Sequence, residues 1–551
     1  MAKSLIHAFR ARGASLLDSL QGDFCIAVIN QHEPAGLIAI DRMGIHGLYY
    51  SILGHELHFG SRLARLFSSR EVPQDVDPQA LFNYVYFHVI PSPRTIYSDI
   101  HKLEPAQCLV WDHCEPRLKS YWTPSFAPPS GRGNTDHLAL DVRDSIEQAV
   151  RRCDKGEHAG AFLSGGLDSS TVSGMLRRVR GAAVPTFSIG FQETGYDELP
   201  YARIAARHFG LTAHEHYVSV ADIEHAVPLM ASFFDEPFGN SSAIPAYICA
   251  RFAREQGTRV LLAGDGGDEL FAGNERYARQ KLFELYAYAP PWFRTRILEP
   301  WLGNGRPPQT LWPLRKLQRY IEQAATALPA RLEAHNLMHA LSIDKVFDHG
   351  LLDEIDVTEP LRELDRRYHS VQANNALDRM LFLDWKITLA DNDLRKVNAA
   401  CAVAGVDVRY PMLDEEVVDV STRIPAAEKL KRFKLRAFYK SAFQDFLPRE
   451  IIGKPKHGFG LPFGQWLTAS PRLRELIDDT LTDLKKRGLF AATFIEEVRQ
   501  SHRDRHAAYF GTQLWVLFML EQWWQHRSES ETTEASLDGG NLTRAGQIGT
   551  P

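Results

Sequence analysis

Two short segments carry residue types able to handle a phosphate. The first, Ala161-Phe162-Leu163-Ser164-Gly165-Gly166-Leu167-Asp168-Ser169-Ser170, is an apolar run entering a Ser/Gly turn that opens a helical pattern. Such a turn aims successive backbone N–H groups and hydroxyls at one point, at a helix N-terminus whose dipole favours anions. Two adjacent glycines let the backbone approach a phosphate closely. No Gly-Lys-Ser/Thr ending follows, so this is not a Walker A loop, and without a third glycine it is not a dinucleotide fingerprint. Asp168 would repel a bare pyrophosphate, and its presence points to a bridging Mg²⁺. The competing structural reading is a glycine-rich turn capped by Asp and Ser.

The second segment, Leu261-Leu262-Ala263-Gly264-Asp265-Gly266-Gly267-Asp268-Glu269-Leu270-Phe271, is another apolar strand ending in a glycine-acidic turn. Ala263 to Leu270 holds three carboxylates and four small residues, too concentrated for an ordinary surface Asp-Gly turn. In a parallel sheet both turns leave at the carboxyl ends of strands, where ligands bind. Together they would form a metal–pyrophosphate clamp.

The elements around these turns fit that placement. Short apolar strands at Ala159–Leu163, Val184–Phe191, His214–Val220 and Arg259–Leu262 alternate with helical patterns, which implies a doubly wound parallel sheet. Past Gly273 the strand signals end and helical patterns run to about His526. The first ~125 residues read instead as β-rich, with strands at Phe24–Ile29 and Leu37–Ile40 and a hairpin at Tyr49–Phe59 turning at Gly54-His55. The expected division is residues 1–123, a Pro/Ser/Gly linker at 124–135, a large α/β unit with a helical C-terminal half at 136–526, and a disordered tail at 527–551.

Composition narrows the class. The 551 residues carry 63 Lys and Arg against 68 Asp and Glu, a net charge of −5, which disfavours nucleic acid or an anionic membrane as partner. The apolar run Leu514–Leu520 is far short of the ~20 residues of a membrane span, and no signal peptide is visible, so a cytoplasmic location is expected. Six cysteines (Cys25, Cys108, Cys114, Cys153, Cys249, Cys401) are scattered without a Cys-x-x-Cys pair, as befits free thiols.

Taken in order, several segments resemble the asparagine synthetase group. They are Ser164–Ser170, Thr186–Phe191, Tyr196-Asp197-Glu198, Asp235-Glu236-Pro237, Ser241–Pro245, Asp265–Phe271, Asp391–Lys396, Val408–Asp414 and Lys454–Gly460. The resemblance implies ATP-dependent activation of a carboxylate as acyl-AMP with release of pyrophosphate, followed by attack of an amine to give an amide. It implies that Ser164, Gly166 and Ser169, with the neighbouring Leu163, Gly165 and Ser170, cradle pyrophosphate. Asp168 and Asp268 would hold Mg²⁺, the backbones near Phe162 and Ile189 would line the adenine site, and Ala263-Gly264 would border the ribose and α-phosphate. Lys456 would stabilise the adenylation transition state, a role suited to a flexible point charge, while no role is implied for Lys454. Asp265 stands where some members carry Glu, beside the acyl-accepting centre. Arg395 and Arg409 are candidates for a substrate carboxylate, with a structural role equally open.

The front segment, through Gly22-Asp23-Phe24, Asp41–Gly44, Leu48-Tyr49-Tyr50 and Phe59-Gly60-Ser61, resembles the later half of a class II glutaminase (Ntn) domain. That domain begins with a processed cysteine, whereas residue 2 here is Ala, and Cys25 falls within an expected core strand. The expectation is therefore a truncated domain that does not hydrolyse glutamine. The alternatives are a β-lactam synthetase-like or lasso-peptide cyclase-like ligase, whose amine comes from the substrate, and a non-catalytic scaffold. A small-molecule or peptide carboxylate substrate and a homodimer are implied by the resemblance alone.

Overall fold

The computed structural model describes the chain except residues 1, 31, 34, 70, 113–114, 127–134, 157, 194, 295, 297–299, 301–311, 342, 456–459, 492, 506 and 538–551. The front part carries two antiparallel sheets. One has the order β1 (Cys25–Ile29), β2 (Ala35–Ile40), β6 (Gln107–Asp112), β7 (Arg117–Ser120), and the other β4 (Glu56–Gly60), β3 (Tyr49–Leu53), β5 (His101–Lys102). The expected hairpin is present: Leu53 pairs with Glu56 across Gly54, whose φ of 59° is the left-handed conformation that such a turn needs. Helices Ala2–Arg12 and Pro78–Phe87 accompany these sheets. The latter starts with Asp77 accepting the Gln79 N–H and a Pro at its first position.

The second part is built on a five-stranded parallel sheet, order β10 (Thr212–Tyr217), β9 (Pro185–Gly190), β8 (Ala159–Phe162), β11 (Val260–Leu262), β12 (Asp407–Arg409). Its central strand reads Ala-Gly-Ala-Phe, small enough to be covered on both faces. A Cβ at Gly160 would crowd the Pro185 carbonyl on the neighbouring strand. The expectation that strands end at Gly273 is corrected by β12, a three-residue edge strand reached only after a long helical stretch. Within that stretch Trp385–Leu394 is π-helical and continues into the helix Arg395–Ala404.

The two parts share one apolar core, in which Phe82, Tyr84 and Ile90 belong to the same cluster as Leu261, Leu394 and Trp515. The run Leu514–Leu520 is wholly buried there, within a helix, Ala507–Leu537, that continues past Arg527 into the segment expected to be disordered. No helix among the described residues is long and apolar enough to cross a membrane.

Buried polar groups join the parts as well. Lys102 Nζ donates to the Ile90 carbonyl at 2.6 Å and to Glu236 at 2.9 Å, and Glu236 also accepts the Ile96 N–H at 3.0 Å. Asp391 accepts both the N–H and the hydroxyl of Ser92 at 2.9 Å.

Candidate active site

β8 and β11 are neighbours at the centre of the sheet. From β8 the chain winds through β9 to β10 on one side, and from β11 to β12 on the other. The turns that follow β8 and β11 therefore leave where the winding reverses, the crevice in which open α/β sheets bind ligands.

The two turns touch. A Cβ at Gly264 would crowd the backbone of Asp168 and Ser169, and one at Gly267 would collide with the Asp168 carboxylate. Gly165 adopts φ 68° against the Tyr201–Ala202 backbone, leaving no room for a side chain. Ser169 Oγ accepts the Ser164 N–H at 3.2 Å and lies 3.1 Å from Ser164 Oγ, which accepts the Gly166 N–H at 3.3 Å. Both hydroxyls thus converge at the N-terminus of helix Leu167–Arg180. Ser170, next in the helix, is fully buried. Phe162 closes β8, and the Leu163 N–H that follows donates to the Phe187 carbonyl at 2.9 Å. Ile189 lies near the same end of β9, and the Ala263 N–H donates to the Arg409 carbonyl at 2.8 Å.

The acidic turn is an electrostatic cluster. Burial pushes the Asp265 carboxyl up to about 6, opposed by Lys396 and reinforced by Asp393. Lys396 bonds Asp393 at 2.6 Å. Burial, then Asp268 and Asp393, push Glu269 upward too, so the cluster carries less negative charge than its four carboxylates suggest.

Asp168 and Asp268 meet on one side chain absent from the sequence-derived set. Arg436 donates to both oxygens of Asp168, Nη1 at 2.5 Å and Nη2 at 2.7 Å, and Nη2 lies 2.9 Å from Asp268 Oδ1. Its side chain is 4% exposed. Its backbone sits at φ 54°, with its N–H on the Ala272 carbonyl at 3.2 Å. A Cβ at Gly273 would collide with both Asp268 and Arg436. One signal could have found it: the segments Ser164–Ser170 and Ala263–Phe271 hold four carboxylates and no Lys or Arg, so a cation had to come from elsewhere.

Lys456 lies outside the described residues. Lys454, to which the sequence assigns no role, donates to the Ser164 carbonyl at 3.3 Å and pairs with Glu198 at 2.8 Å. It is a strut under the phosphate loop. Arg395 and Arg409 both line a cavity of about 430 Å³ between the two parts of the chain, together with Tyr49, Arg62, Lys102 and Asp391. Each arginine is already partnered, Arg395 by Tyr49 at 3.0 Å and Arg409 by Asp23 at 3.0 Å.

Among the described residues, the one group of three His or carboxylate ligand atoms within 4.8 Å of one another is Glu56, His58 and Glu71, on the front hairpin. The Asp168–Asp268 pair supplies two hard oxygen ligands. That suits Mg²⁺, which is characteristically held by one or two carboxylates plus substrate phosphates.

The asparagine synthase family model matches residues 141–525, and a glutamine amidotransferase domain model matches residues 2–122. The chain is 25% identical over 487 residues to asparagine synthetase [glutamine-hydrolyzing] 1 of Bacillus subtilis, covering 87% of this chain and 74% of that one. It is 24% identical over 549 residues to a putative asparagine synthetase of Mycobacterium bovis, covering 95% and 79%. A putative asparagine synthetase of Methanocaldococcus jannaschii is 32% identical over 276 residues, 49% of this chain and 53% of that one. With its model spanning most of the chain, the family is established: this protein belongs to the asparagine synthase family of carbon–nitrogen ligases.

Proposed function

We propose that the protein activates a carboxylate with ATP, forming an acyl-adenylate and releasing pyrophosphate, and that an amine then displaces AMP to give an amide. The observation that carries this reading is the meeting of Asp168 and Asp268 beside the Ser164 and Ser169 hydroxyls at the sheet's reversal point. Backbone N–H groups and hydroxyls of Ser164, Gly166 and Ser169 bind the departing pyrophosphate. Asp168 and Asp268 would hold Mg²⁺, which when bound neutralises charge developing on the leaving group. Phe162, Leu163, Ile189, Ala263 and Gly264 flank the nucleotide at the strand ends. Lys456 is proposed to reach the reacting phosphate, carried on the same segment as the strut Lys454.

Asp265 is proposed to hold the attacking amine or take its proton. It can do so only when ionised. With its carboxyl near pH 6, amide formation in single turnover should rise through about pH 6 and level off above it. Asp265→Asn should remove that limb. A profile unchanged by the substitution would exclude Asp265 from the step.

The amine is proposed to be ammonia or a group on the substrate itself, not the glutamine amide. Burial pushes the thiols of both Cys25 and Cys108 up to about 11, so neither is a thiolate at neutral pH. This favours a second reading, an intramolecular amide ligase of the β-lactam synthetase or lasso-peptide cyclase kind. Pyrophosphate release should be stimulated by a cognate carboxylate from a small-molecule and peptide panel, and product formed with ammonium or an internal amine. Glutamine should not replace ammonium, and Cys25→Ala should leave turnover unchanged. Glutamine-supported amide formation that is abolished in Cys25→Ala would contradict this. Intact ATP binding without pyrophosphate release from any carboxylate would instead favour a scaffold.

A further inference from the structure

We propose that Glu56, His58 and Glu71 form a site for one divalent transition-metal ion of the zinc class, separate from the phosphate clamp and independent of the reaction proposed there.

The site follows from the register of the front hairpin. Side chains alternate along β4, so Glu56, His58 and Gly60 share one face. β3 pairs with β4 so that Ser51 stands directly opposite His58 and Leu53 opposite Glu56. Residues opposite each other in an antiparallel pair point to the same side, so Ser51 lies on that face too. The short helix Leu63–Leu66 packs against both strands, and it covers this face: a Cβ at Gly60 would come within 3.0 Å of Arg65 and Leu66. The chain leaving that helix carries Glu71 back to the hairpin. One ligand atom each of Glu56, His58 and Glu71 then lie within 4.8 Å of one another.

Two further observations separate this group from an ordinary acidic surface. His58 Nε2 is buried and has no hydrogen-bond partner, since Glu56 Oε2 at 3.6 Å is too distant to be one. Ser51 is 0% exposed, and its Oγ is a second buried polar atom without a partner. Buried polar atoms are nearly always hydrogen-bonded, so two orphans on one sheet face beside two carboxylates need an explanation. A metal ion with a bound water satisfies both.

The donor set selects the ion. One imidazole nitrogen with two carboxylate oxygens suits Zn²⁺, whereas Mg²⁺ and Ca²⁺ take oxygen alone. Bonds of about 2.0–2.1 Å in a tetrahedron put ligand atoms about 3.3–3.4 Å apart, close to the 3.6 Å between His58 and Glu56. Glu71 is exposed and closes the remaining gap by rotating its side chain. The fourth position takes the water, to which Ser51 Oγ is the hydrogen-bond partner. Two carboxylates beside a neutral imidazole also attract a dication. Bound there, the ion ties the hairpin to the segment that leads into the helix Pro78–Phe87, whose Phe82 and Tyr84 lie in the shared core.

The test uses the full chain after treatment with a chelator. Zn²⁺ is titrated by calorimetry, and Co²⁺ by the visible absorption that strengthens when the ion is tetrahedral. The wild type should bind one equivalent, and Zn²⁺ should raise its unfolding temperature. His58→Gln and Glu71→Gln should each bind about tenfold or more weakly, the least that even an outer-shell loss costs many metal sites, and should lose the thermal shift. Glu71 is exposed, so Glu71→Gln should fold as the wild type does and carries the test if His58→Gln does not. Asp268→Asn, at the phosphate clamp, should keep the Zn²⁺. Binding that is equal in the wild type and both hairpin variants would overturn the proposal. So would binding that is lost in Asp268→Asn but kept in His58→Gln, or no binding of either ion by the wild type.

Discussion

Asp168→Asn is expected to lower ATP-dependent pyrophosphate release by about 10²–10³-fold, the scale for removing one well-placed group that stabilises transition-state charge. It is also expected to destabilise the fold, because Asp168 is the bidentate partner of a buried arginine. Removing one member of a buried ion pair costs about 3–5 kcal/mol, and the 18% exposure of Asp168 puts the expected loss at the lower end of that range or just below it. Activity and stability therefore fall together, and the single variant cannot separate a catalytic from a structural role. The double variant can. In Asp168→Asn/Arg436→Gln the Asp168–Arg436 charge pair is removed whole, although Asp268 loses its guanidinium partner, so only part of the lost stability should return while pyrophosphate release stays low. Thermal unfolding of the four proteins reads the coupling. Strictly additive losses would mean that the pair is not a unit, and recovered activity in the double variant would mean that Asp168 acts only through Arg436.

Glu236→Ala is expected to cost about 3–5 kcal/mol of stability, the largest single effect away from the site. Lys102 is 1% exposed and would keep only the Ile90 carbonyl, and the Ile96 N–H would be orphaned. Without Glu236, burial pushes Lys102 toward its neutral form, so the variant's deficit should shrink as pH rises toward the alkaline range. Urea unfolding at pH 7 and pH 9 measures both statements. A loss below about 1 kcal/mol would show that the pair is replaceable by water. The larger meaning is architectural. The front part is joined to the synthetase part by a buried ion pair and a shared apolar core, so it is expected to unfold with it.

Much of this was legible in the sequence because it is local. The four strands around the phosphate loop show as short apolar runs, and each lies within two or three residues of its expected bounds: Ala159–Phe162 against an expected Ala159–Leu163, for example. The two turns announce themselves by glycines and carboxylates at strand ends. What was missed depends on contacts distant in the chain. β12 is three residues long and is a strand only because β11, nearly 150 residues earlier, offers it a partner. The π-helical segment Trp385–Leu394 has the same apolar spacing as an α-helix over so short a span. Arg436 has no motif of its own that marks it as a ligand. Its role comes from two turns 160 or more residues before it, and from a left-handed backbone that no side-chain pattern encodes. Arg395 and Arg409 illustrate the converse. Their residue type left a substrate carboxylate and a structural role equally open, and each has a partner within the protein.

The central claim is that ATP is cleaved between its α- and β-phosphates to activate a carboxylate. Phosphorus NMR of the nucleotide products, with ATP, Mg²⁺, ammonium and a panel of carboxylates, tests it most directly. AMP and pyrophosphate should appear in equal amounts, depend on the carboxylate and fall about 10²–10³-fold in Asp168→Asn. ADP and inorganic phosphate as the products would contradict it.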